Sequence, residues 1–142
     1  YDTHAEGGIY WATPAATANT PNTPIKCAGT TAAQGTAVNV TQATTNRLTY
    51  TGAATRNFVV EATVGISAAA TATTSKLHIY KNGSAVKGLT ITRYIATSDI
   101  GAVAIHGAVS LATNDYVELW CETDDGDDLT IQNGVLSIRS ID

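Results

Sequence analysis

Apolar residues recur at every second position along much of this chain, in short runs separated by turn residues. The clearest run is Phe58–Ile66, where one face carries only apolar side chains: Phe58, Val60, Ala62, Val64 and Ile66. Further runs with the same period cover three ranges: Lys76–Lys81, Ala102–Leu111 and Tyr116–Glu122. A period of two is the pattern of half-buried β-strands, and no stretch shows a convincing helical period. The sequence therefore predicts an all-β fold.

Turn residues delimit these predicted strands. Asn82-Gly83 predicts a tight hairpin, because both central positions of a type I′ turn need a positive φ. Ala112–Asp115 predicts the turn that leads into the strand at Tyr116. The last stretch, Leu129–Ile141, has two interpretations, since Asn133-Gly134 is either a hairpin turn between two strands or a bulge in one long strand. The hairpin is the preferred interpretation.

The first 46 residues carry weaker signals. Gly8–Thr13 is typical of a strand, and three prolines then mark a loop, because proline is tolerated only at sheet edges or outside sheets. Three short strands are predicted after it, at Ile25–Ala28, Ala37–Val40 and Arg47–Thr51. Further on, Ser67–Ser75 is interpreted as a loop or a frayed strand end.

The spacing between turn signals is about 8–12 residues, which is typical of a β-sandwich or a two-sheet jelly roll. No linker divides the chain. We therefore expect a single jelly-roll domain over residues 1–142, with N-terminal strands and loops at 1–46 and the core strands at 47–142.

The composition changes this picture in one respect, which is the nature of the surface. The chain is 44% hydrophobic and only 14% charged, whereas soluble domains average about 25% charged residues. Alanine and threonine make up the difference, so the surface is either covered with neutral hydroxyl groups or hidden against copies of the same chain.

Charge and hydropathy exclude two classes of partner. The net charge is −4 and the eight lysines and arginines are scattered, so the chain lacks the basic stripe that nucleic-acid binding needs. No apolar run approaches the ~20 residues of a membrane span. The sequence shows no signal peptide, and its start at Tyr1 is interpreted as that of a fragment or a processed product.

Three segments resemble the jelly-roll family of tumour necrosis factor and the globular heads of complement and collagen-like proteins. They are Arg56–Val64 (RNFVVEATV), Lys76–Gly83 (KLHIYKNG) and Val109–Trp120 (VSLATNDYVELW), where Asn114-Asp115 replaces the usual Gly-Asp. The resemblance begins at Arg47 and implies a two-sheet antiparallel jelly-roll sandwich that assembles as a homotrimer around a threefold axis. The threonine-rich sequence of these segments is most similar to the versions of this fold in bacteriophage head fibres, decoration proteins and fibre tips. A similar version ends collagen-like filaments on bacterial spores.

The resemblance also implies which residues form the trimer interface. It places the Tyr116–Glu122 strand in the sheet that faces the axis, with Tyr116, Glu118 and Trp120 outward, and aromatic residues are enriched in interface cores. Val59 and Glu61 complete the predicted interface. Glu61 and Glu118 then approach their symmetry copies; the alternative is that both form ordinary salt bridges with Arg47, Arg56 or Arg139.

An acidic turn is the only candidate metal site. It contains Asp124, Asp125, Asp127 and Asp128 around Gly126, and hard oxygen ligands in a glycine-containing turn are typical of calcium sites. The segment lacks EF-hand spacing, so the alternative is an acidic loop that keeps one end of the sheet soluble. Cys27 and Cys121 form no metal or redox motif and are interpreted as buried thiols, with a disulfide as the alternative.

No catalytic constellation is recognisable. The histidines His4, His78 and His106 are separated, and we expect none of them to lie near an acid that would orient it. No serine has a nucleophile-elbow context, and no other cofactor than calcium is suggested. We therefore expect a protein without enzymatic activity.

Two functions fit these observations. The first is a bacteriophage virion structural protein, a trimeric knob on the virion surface that contacts other virion proteins, either the capsid or a fibre shaft. The second is an extracellular trimeric module of a bacterial or phage adhesin that binds a host glycan or protein receptor. Its candidate recognition loops are Ser84–Gly88, Thr97–Ile100 and Asp124–Asp128.

Overall fold

The computed structural model describes residues 4–141, which form twelve strands and no helix. The strands are β1 (Glu6–Trp11), β2 (Ala15–Thr17), β3 (Ile25–Lys26), β4 (Thr31–Ala33), β5 (Val40–Thr41), β6 (Leu48–Tyr50), β7 (Arg56–Ala68), β8 (Thr73–Lys81), β9 (Ser84–Ile95), β10 (Ile100–Leu111), β11 (Tyr116–Thr123) and β12 (Leu129–Ser140). They pair antiparallel in two sheets. The order is β10-β7-β12-β1-β4 in the first, called the β7 sheet, and β5-β6-β11-β8-β9 in the second, called the β11 sheet; β2 pairs with β12 and β3 with β11. The predicted two-sheet antiparallel jelly-roll sandwich is confirmed.

The core lies between the two sheets and is built from the alternating apolar positions. On β7 the predicted inner face is buried, with Phe58, Val60 and Ile66 fully shielded from solvent. Leu119 of β11 and Leu77 of β8 are equally buried on the opposing sheet. Burying a side chain of this size contributes about 1.5–3 kcal/mol, so the alternation accounts for most of the driving force that brings the sheets together.

The long central strands lie where the sequence pattern predicts them. The hairpin at Asn82-Gly83 is also confirmed, because β8 ends at Lys81, β9 begins at Ser84, and both turn residues have positive φ angles of 51° and 83°. β7 extends to Ala68 and β8 begins at Thr73. The connection between them is therefore shorter than the predicted loop at Ser67–Ser75, whose two ends belong to the strands.

The preferred interpretation of the C-terminal stretch is wrong, and its alternative is right. β12 is one continuous strand with a bulge between Ile131 and Asn133. It runs through the middle of the β7 sheet and pairs with β7 on one side and β1 on the other. Gly134 is not part of a turn. Its lack of a side chain allows close contact with β7, because a Cβ there would lie 2.3 Å from Val64 Cγ1.

Three strands have no counterpart in the sequence prediction, namely β2, β4 and β9. The largest omission is β9, whose residues include Ser84–Gly88, so this candidate recognition loop is part of a strand. β9 is an edge strand of the β11 sheet, and its threonines, lysine and arginine are largely exposed, which weakens the apolar period. Thr97–Ile100 does lie at the turn between β9 and β10.

Candidate functional site

The five residues of the predicted trimer interface lie on opposite outer faces of the sandwich. Val59 and Glu61 belong to β7, whereas Tyr116, Glu118 and Trp120 belong to β11. All five point away from the inner core, as their strands' alternation predicts. One face of the sandwich therefore cannot present all five, and each face has to be considered by itself.

On the β11 sheet, Glu118 is the centre of a charged cluster that is satisfied within the chain. Its Oε2 accepts hydrogen bonds from Arg47 Nε at 2.8 Å and forms ion pairs with Arg47 Nη2 at 2.8 Å and Lys26 Nζ at 3.0 Å. Its Oε1 accepts a hydrogen bond from Trp120 Nε1 at 3.0 Å. The Glu118 side chain is only 3% exposed, so the alternative of an ordinary salt bridge describes Glu118 within this chain.

The aromatic residues around Glu118 are covered by the same chain. Trp120 stacks on Tyr80 of β8 with ring centroids 4.0 Å apart and an interplanar angle of 2°. The Arg47 guanidinium lies 3.9 Å above the centre of the Tyr116 ring, a cation–π geometry. The cover that the sequence analysis assigned to a second subunit is thus partly supplied by Tyr80 and Arg47. The sequence could not reveal this, because the register between β8 and β11 brings these side chains together.

The same face holds a buried histidine with an acidic partner. His78 Nε2 lies 2.7 Å from Glu122 Oε1, and Nδ1 lies 2.8 Å from Thr90 Oγ1. The expectation that no acid orients a histidine is wrong for His78, and His4 also has Glu6 at 3.4 Å. His78 pairs with Trp120, so Glu122 lies two positions further along the neighbouring strand. Their contact therefore depends on strand pairing and not on sequence spacing. His106 is exposed on β10.

The network gives Glu118 a pH dependence of known sign. Burial by itself raises the pKa of Glu118, but hydrogen bonds from Trp120, Lys26 and Arg47 and the charge of Lys26 outweigh it, so the net pKa is below its ordinary value. The carboxylate therefore stabilises the fold fully above the ordinary glutamate value of about 4.3. This stabilisation is lost as the pH falls through the lower pKa of the folded state.

We expect Glu118→Gln to reduce the free energy of unfolding by about 2 kcal/mol at pH 7, because Arg47 and Lys26 lose their counter-charge. The difference from the wild type shrinks as the pH is lowered below 4. Urea unfolding at a series of pH values measures it. The matched control is Glu61→Gln, since Glu61 is half exposed and 3.5 Å from Arg139, a pair worth less than about 1 kcal/mol. Equal, small effects of both substitutions would contradict this account of the cluster.

The outer face of the β7 sheet has the opposite character. Its outward residues are mostly small and uncharged, and we call the following set the small-residue face: Val59 and Thr63 on β7, Ala102, Ala104 and Ala108 on β10, and Val135 and Ser137 on β12. The alanines of β10 are exposed, and so is Ile100, at 68%. The few charges among them include Glu61 and Arg139, which partner each other at 3.5 Å.

A shallow groove of about 330 Å³ interrupts this face beside β1. Its lining includes Gly8, Gln34, Val59, Glu61 and Arg139. The groove is open because Gly8 carries no side chain, and a Cβ there would lie 2.8 Å from Gln34 Oε1. Both predicted interface residues of the β7 sheet thus line one concave surface.

The four aspartates of the acidic turn accept hydrogen bonds from the segment that joins β7 to β8, from the start of β8 and from Asn19. Asp124 Oδ1 accepts from Thr73 Oγ1 at 2.9 Å, and Asp125 accepts from Thr71 Oγ1 and Thr73 Oγ1, each at 2.7 Å. Asp127 also accepts hydrogen bonds from the backbone N–H groups of Ala70 and Thr71, and Asp128 accepts one from the N–H of Asn19. Hydrogen bonds from Thr71, the N–H of Asp127 and Thr73 lower the pKa of Asp125 to about 2.

These contacts give the acidic turn a role without a cation. Asp124 and Asp125 share the hydroxyl group of Thr73, Asp125 and Asp127 both contact Thr71, and Asp128 contacts Asn19. Among residues 4–141, no group of three or more histidine, cysteine or acidic side chains is arranged to hold a metal ion. Calcium at Asp124, Asp125, Asp127 and Asp128 stays a prediction.

The described residues include no helix long and apolar enough to cross a membrane. Neither the models of known protein families nor the curated protein sequences match this chain. Several solved structures do match this chain. Murine APRIL matches with a TM-score of 0.61 at 10% identity, over 97% of this chain and 99% of that one. Eiger, a tumour necrosis factor from S. frugiperda, matches with a TM-score of 0.66 at 9% identity, over 99% of this chain and 94% of that one.

The globular domain of zebrafish complement 1qA gives a third match, with a TM-score of 0.58 at 13% identity over 97% of both chains. The identities are too low to carry more than the fold. Each match spans nearly the whole of both chains. The matches therefore include most of the first 46 residues, which the sequence resemblance does not cover. The chain is therefore a jelly roll of the kind found in tumour necrosis factor and the complement globular domains.

Proposed function

We propose that the chain is a non-enzymatic structural protein of a bacteriophage virion, a homotrimeric surface knob on a head fibre, a capsid decoration or a tail-fibre tip. The observation that carries the proposal is the contrast between the two outer faces. The charged and aromatic groups around Glu118 on the β11 sheet are satisfied within the chain, whereas the small-residue face has no cover among the described residues. The bacteriophage setting comes from the threonine-rich sequence resemblance.

The small-residue face suits contact with a second copy of the chain. Interface cores are depleted of charged residues, and alanine, serine and threonine on flat strands allow another sheet to approach closely. Sheets that pack face to face stand about 10 Å apart, which long charged side chains would prevent. Val59 and Glu61 are the predicted interface residues that lie in or beside this face.

A threefold arrangement follows the resemblance and fits the position of the groove. The groove lies toward the β1 side of the β7 sheet, whereas exposed Ile100 lies on β10 at the opposite edge. Contacts between different surfaces of neighbouring copies close into a ring when the rotation permits. The trimer then presents the β11 sheet and the loops to other virion proteins, either the capsid or a fibre shaft.

The groove does not favour enzymatic activity. Glu6 and Glu61 are the two carboxylates that line it, and a glycosidase requires one carboxyl group shielded from water beside another that is ionised. Both side chains are about half exposed, at 51% and 43%. Each has a cationic or potentially cationic neighbour, His4 and Arg139 respectively.

A pair of matched variants tests the interface. Ala104→Glu places a charge in the middle of the small-residue face, where the proposed trimer would bury it. We expect this variant to be a monomer whose circular dichroism is unchanged. Thr92→Glu introduces the same side chain on the outer face of the β11 sheet, opposite Lys76, and we expect it to leave the trimer intact. Light scattering measures both masses. A trimer that survives Ala104→Glu and dissociates with Thr92→Glu would place the interface on the other sheet.

Immunogold electron microscopy tests the virion role. Antibodies against the folded chain are expected to label the surface of purified phage particles at regular sites. Absence of the chain from such particles, together with its recovery from the culture medium, would refute the virion role and favour the second candidate.

The second candidate is an extracellular trimeric module that binds a receptor or a glycan. Exposed apolar side chains at the β9–β10 hairpin favour it, because Tyr94 is 63% and Ile100 is 68% exposed, and aromatic rings on a surface are frequent binding anchors. A glycan array and a cell-adhesion assay test it. Binding that Tyr94→Ala removes would support this candidate.

A further inference from the structure

The two cysteines of the chain meet inside the sandwich, although 94 positions separate them in the sequence. Cys27 follows β3 directly and Cys121 lies on β11, the strand with which β3 pairs. The N–H of Cys27 donates to the carbonyl of Leu119 at 3.0 Å, which anchors its backbone beside β11. This register places Cys27 opposite Leu119 and diagonal to Cys121 on the neighbouring strand, and both residues are buried, at 2% and 0% exposure.

The surroundings of the pair distinguish the two sulfur atoms. The hydrogen bond from Cys27, together with those from Asn19 and Thr17, lowers the pKa of Cys121 despite its burial. Burial is the main reason why the pKa of Cys27 is raised. Asn19 Nδ2 lies 3.7 Å from Cys121 Sγ. Neither sulfur is accessible to an oxidant in the folded chain, because both residues are buried.

We propose that Cys27 and Cys121 form an intramolecular disulfide by exchange with a small-molecule disulfide, and that this bond fastens residues 18–28 to β11. In the unfolded chain, where both thiols are accessible, one cysteine thiolate attacks one sulfur of the oxidant, breaks its S–S bond and releases one thiolate. The other cysteine thiolate then attacks the mixed disulfide at the protein sulfur and releases the second. Two protein thiols are oxidised, one external disulfide is reduced to two thiols, and the two protons pass to the solvent and the leaving groups.

The bond would strengthen a weakly held part of the sandwich. β3 contributes only two residues to the ladder with β11, and residues 18–24 are mostly exposed. A cross-link across a loop of roughly 90 residues restricts the unfolded chain strongly, with a calculated stabilisation that grows with loop length. A knob that functions outside a reducing cytoplasm would gain resistance to unfolding from it.

Refolding in a glutathione redox buffer tests the proposal, because in the unfolded chain both thiols are accessible. After alkylation of the remaining thiols, we expect peptide mapping to find Cys27 joined to Cys121, and the pair to stay oxidised even when reduced glutathione is in excess. The melting temperature of the oxidised protein is expected to exceed that of the reduced protein by roughly 10 °C.

The Cys27→Ser and Cys121→Ser variants are the controls, because each leaves one thiol that can only form a mixed disulfide with glutathione. Their melting temperatures should not rise on oxidation. The proposal is refuted if the wild type recovers its native circular dichroism in this buffer with both cysteines alkylated, or with each carrying a separate glutathione. An oxidised protein that melts at or below the temperature of the reduced protein would refute the fastening role.

Discussion

Replacing Asn46 with aspartate is expected to destabilise the chain by about 3–5 kcal/mol at pH 7, as breakage of a buried hydrogen-bond network typically does. Asn46 is fully buried, and its side chain occupies a gap along β11. β6 pairs with β11 at Tyr116 and Val117, and β3 pairs at Trp120 and Cys121. Leu119 lies between them, and the Asn46 amide serves as its hydrogen-bonding neighbour.

Three hydrogen bonds define this role. Asn46 Nδ2 donates to the carbonyls of Leu119 at 2.8 Å and of Cys27 at 3.0 Å, and Oδ1 accepts from the N–H of Leu119 at 3.0 Å. An aspartate has the same shape but places a carboxylate oxygen against two carbonyl oxygens. Both donors are lost and a charge is buried without a partner, which is costly in a low-dielectric interior.

The pH dependence of this variant follows from the same contacts. A buried carboxyl group that keeps only the N–H donor of Leu119 and faces two carbonyl oxygens has a raised pKa in the folded state. Its penalty is therefore smallest below the ordinary aspartate value of about 3.9 and grows as the pH rises. Urea unfolding of the variant and the wild type at pH 4 and pH 7 checks this sign.

Asn39→Asp is the matched control for Asn46→Asp. Asn39 has nearly the same left-handed backbone, with φ of 53° against 50°, but it is exposed and donates only to the carbonyl of His4, at 2.9 Å. We expect an effect within about 1 kcal/mol. If the two substitutions cost the same, the backbone conformation and not the buried amide would be the reason why asparagine occupies position 46.

Phe58→Ala is expected to cost about 3–5 kcal/mol, because it removes a fully buried ring from the centre of the core. Phe58 packs edge-on against Tyr50, with centroids 4.9 Å apart and an interplanar angle of 64°. The two rings join β7 to β6 and thus link the two sheets. The Tyr50 hydroxyl donates to the carbonyl of Ala54 at 2.7 Å, which limits how far the ring can shift to fill a cavity.

Two variants separate the cavity from the loss of aromatic contact. Phe58→Leu keeps most of the volume and should cost clearly less than Phe58→Ala. Tyr50→Phe removes only the hydroxyl group and should cost about 1 kcal/mol. Denaturant unfolding at one fixed protein concentration measures all three, since assembly makes stability depend on concentration. A cost for Phe58→Ala below that of Tyr50→Phe would contradict this view of the core.

The sequence predicts the core strands well because their alternation reports directly on the buried face. Phe58–Ile66 is one example, and the hairpin at Asn82-Gly83 is another, since its turn chemistry is local. Edge strands are harder to predict. β9 lies at a sheet edge and carries few apolar residues in phase, and the other two strands missed by the prediction, β2 and β4, have three residues each, so the apolar period is too short or too weak to identify them.

The contacts at the candidate site depend on strand register, which the alternation does not specify. Glu118 is recognisable as an outward residue, but its partners Lys26 and Arg47 come from β3 and from the residue before β6. The division of the predicted interface between two sheets has the same origin: β7 and β11 have similar patterns, and only pairing shows that they belong to different sheets. Asn46 gives no sequence signal at all, because its role depends on a gap between two other strands.

The most direct test of the trimeric-knob account is the mass of the chain in solution, measured by light scattering with and without a calcium chelator. The account predicts three times the chain mass of 14.7 kDa in both conditions, because the aspartates of the acidic turn are engaged by Thr71, Thr73 and backbone N–H groups. Loss of the trimer on chelation would contradict the view that protein contacts alone hold this turn, and would support calcium at its four aspartates. A monomer of 14.7 kDa in both conditions would contradict the trimer itself and the assignment of the small-residue face as its interface.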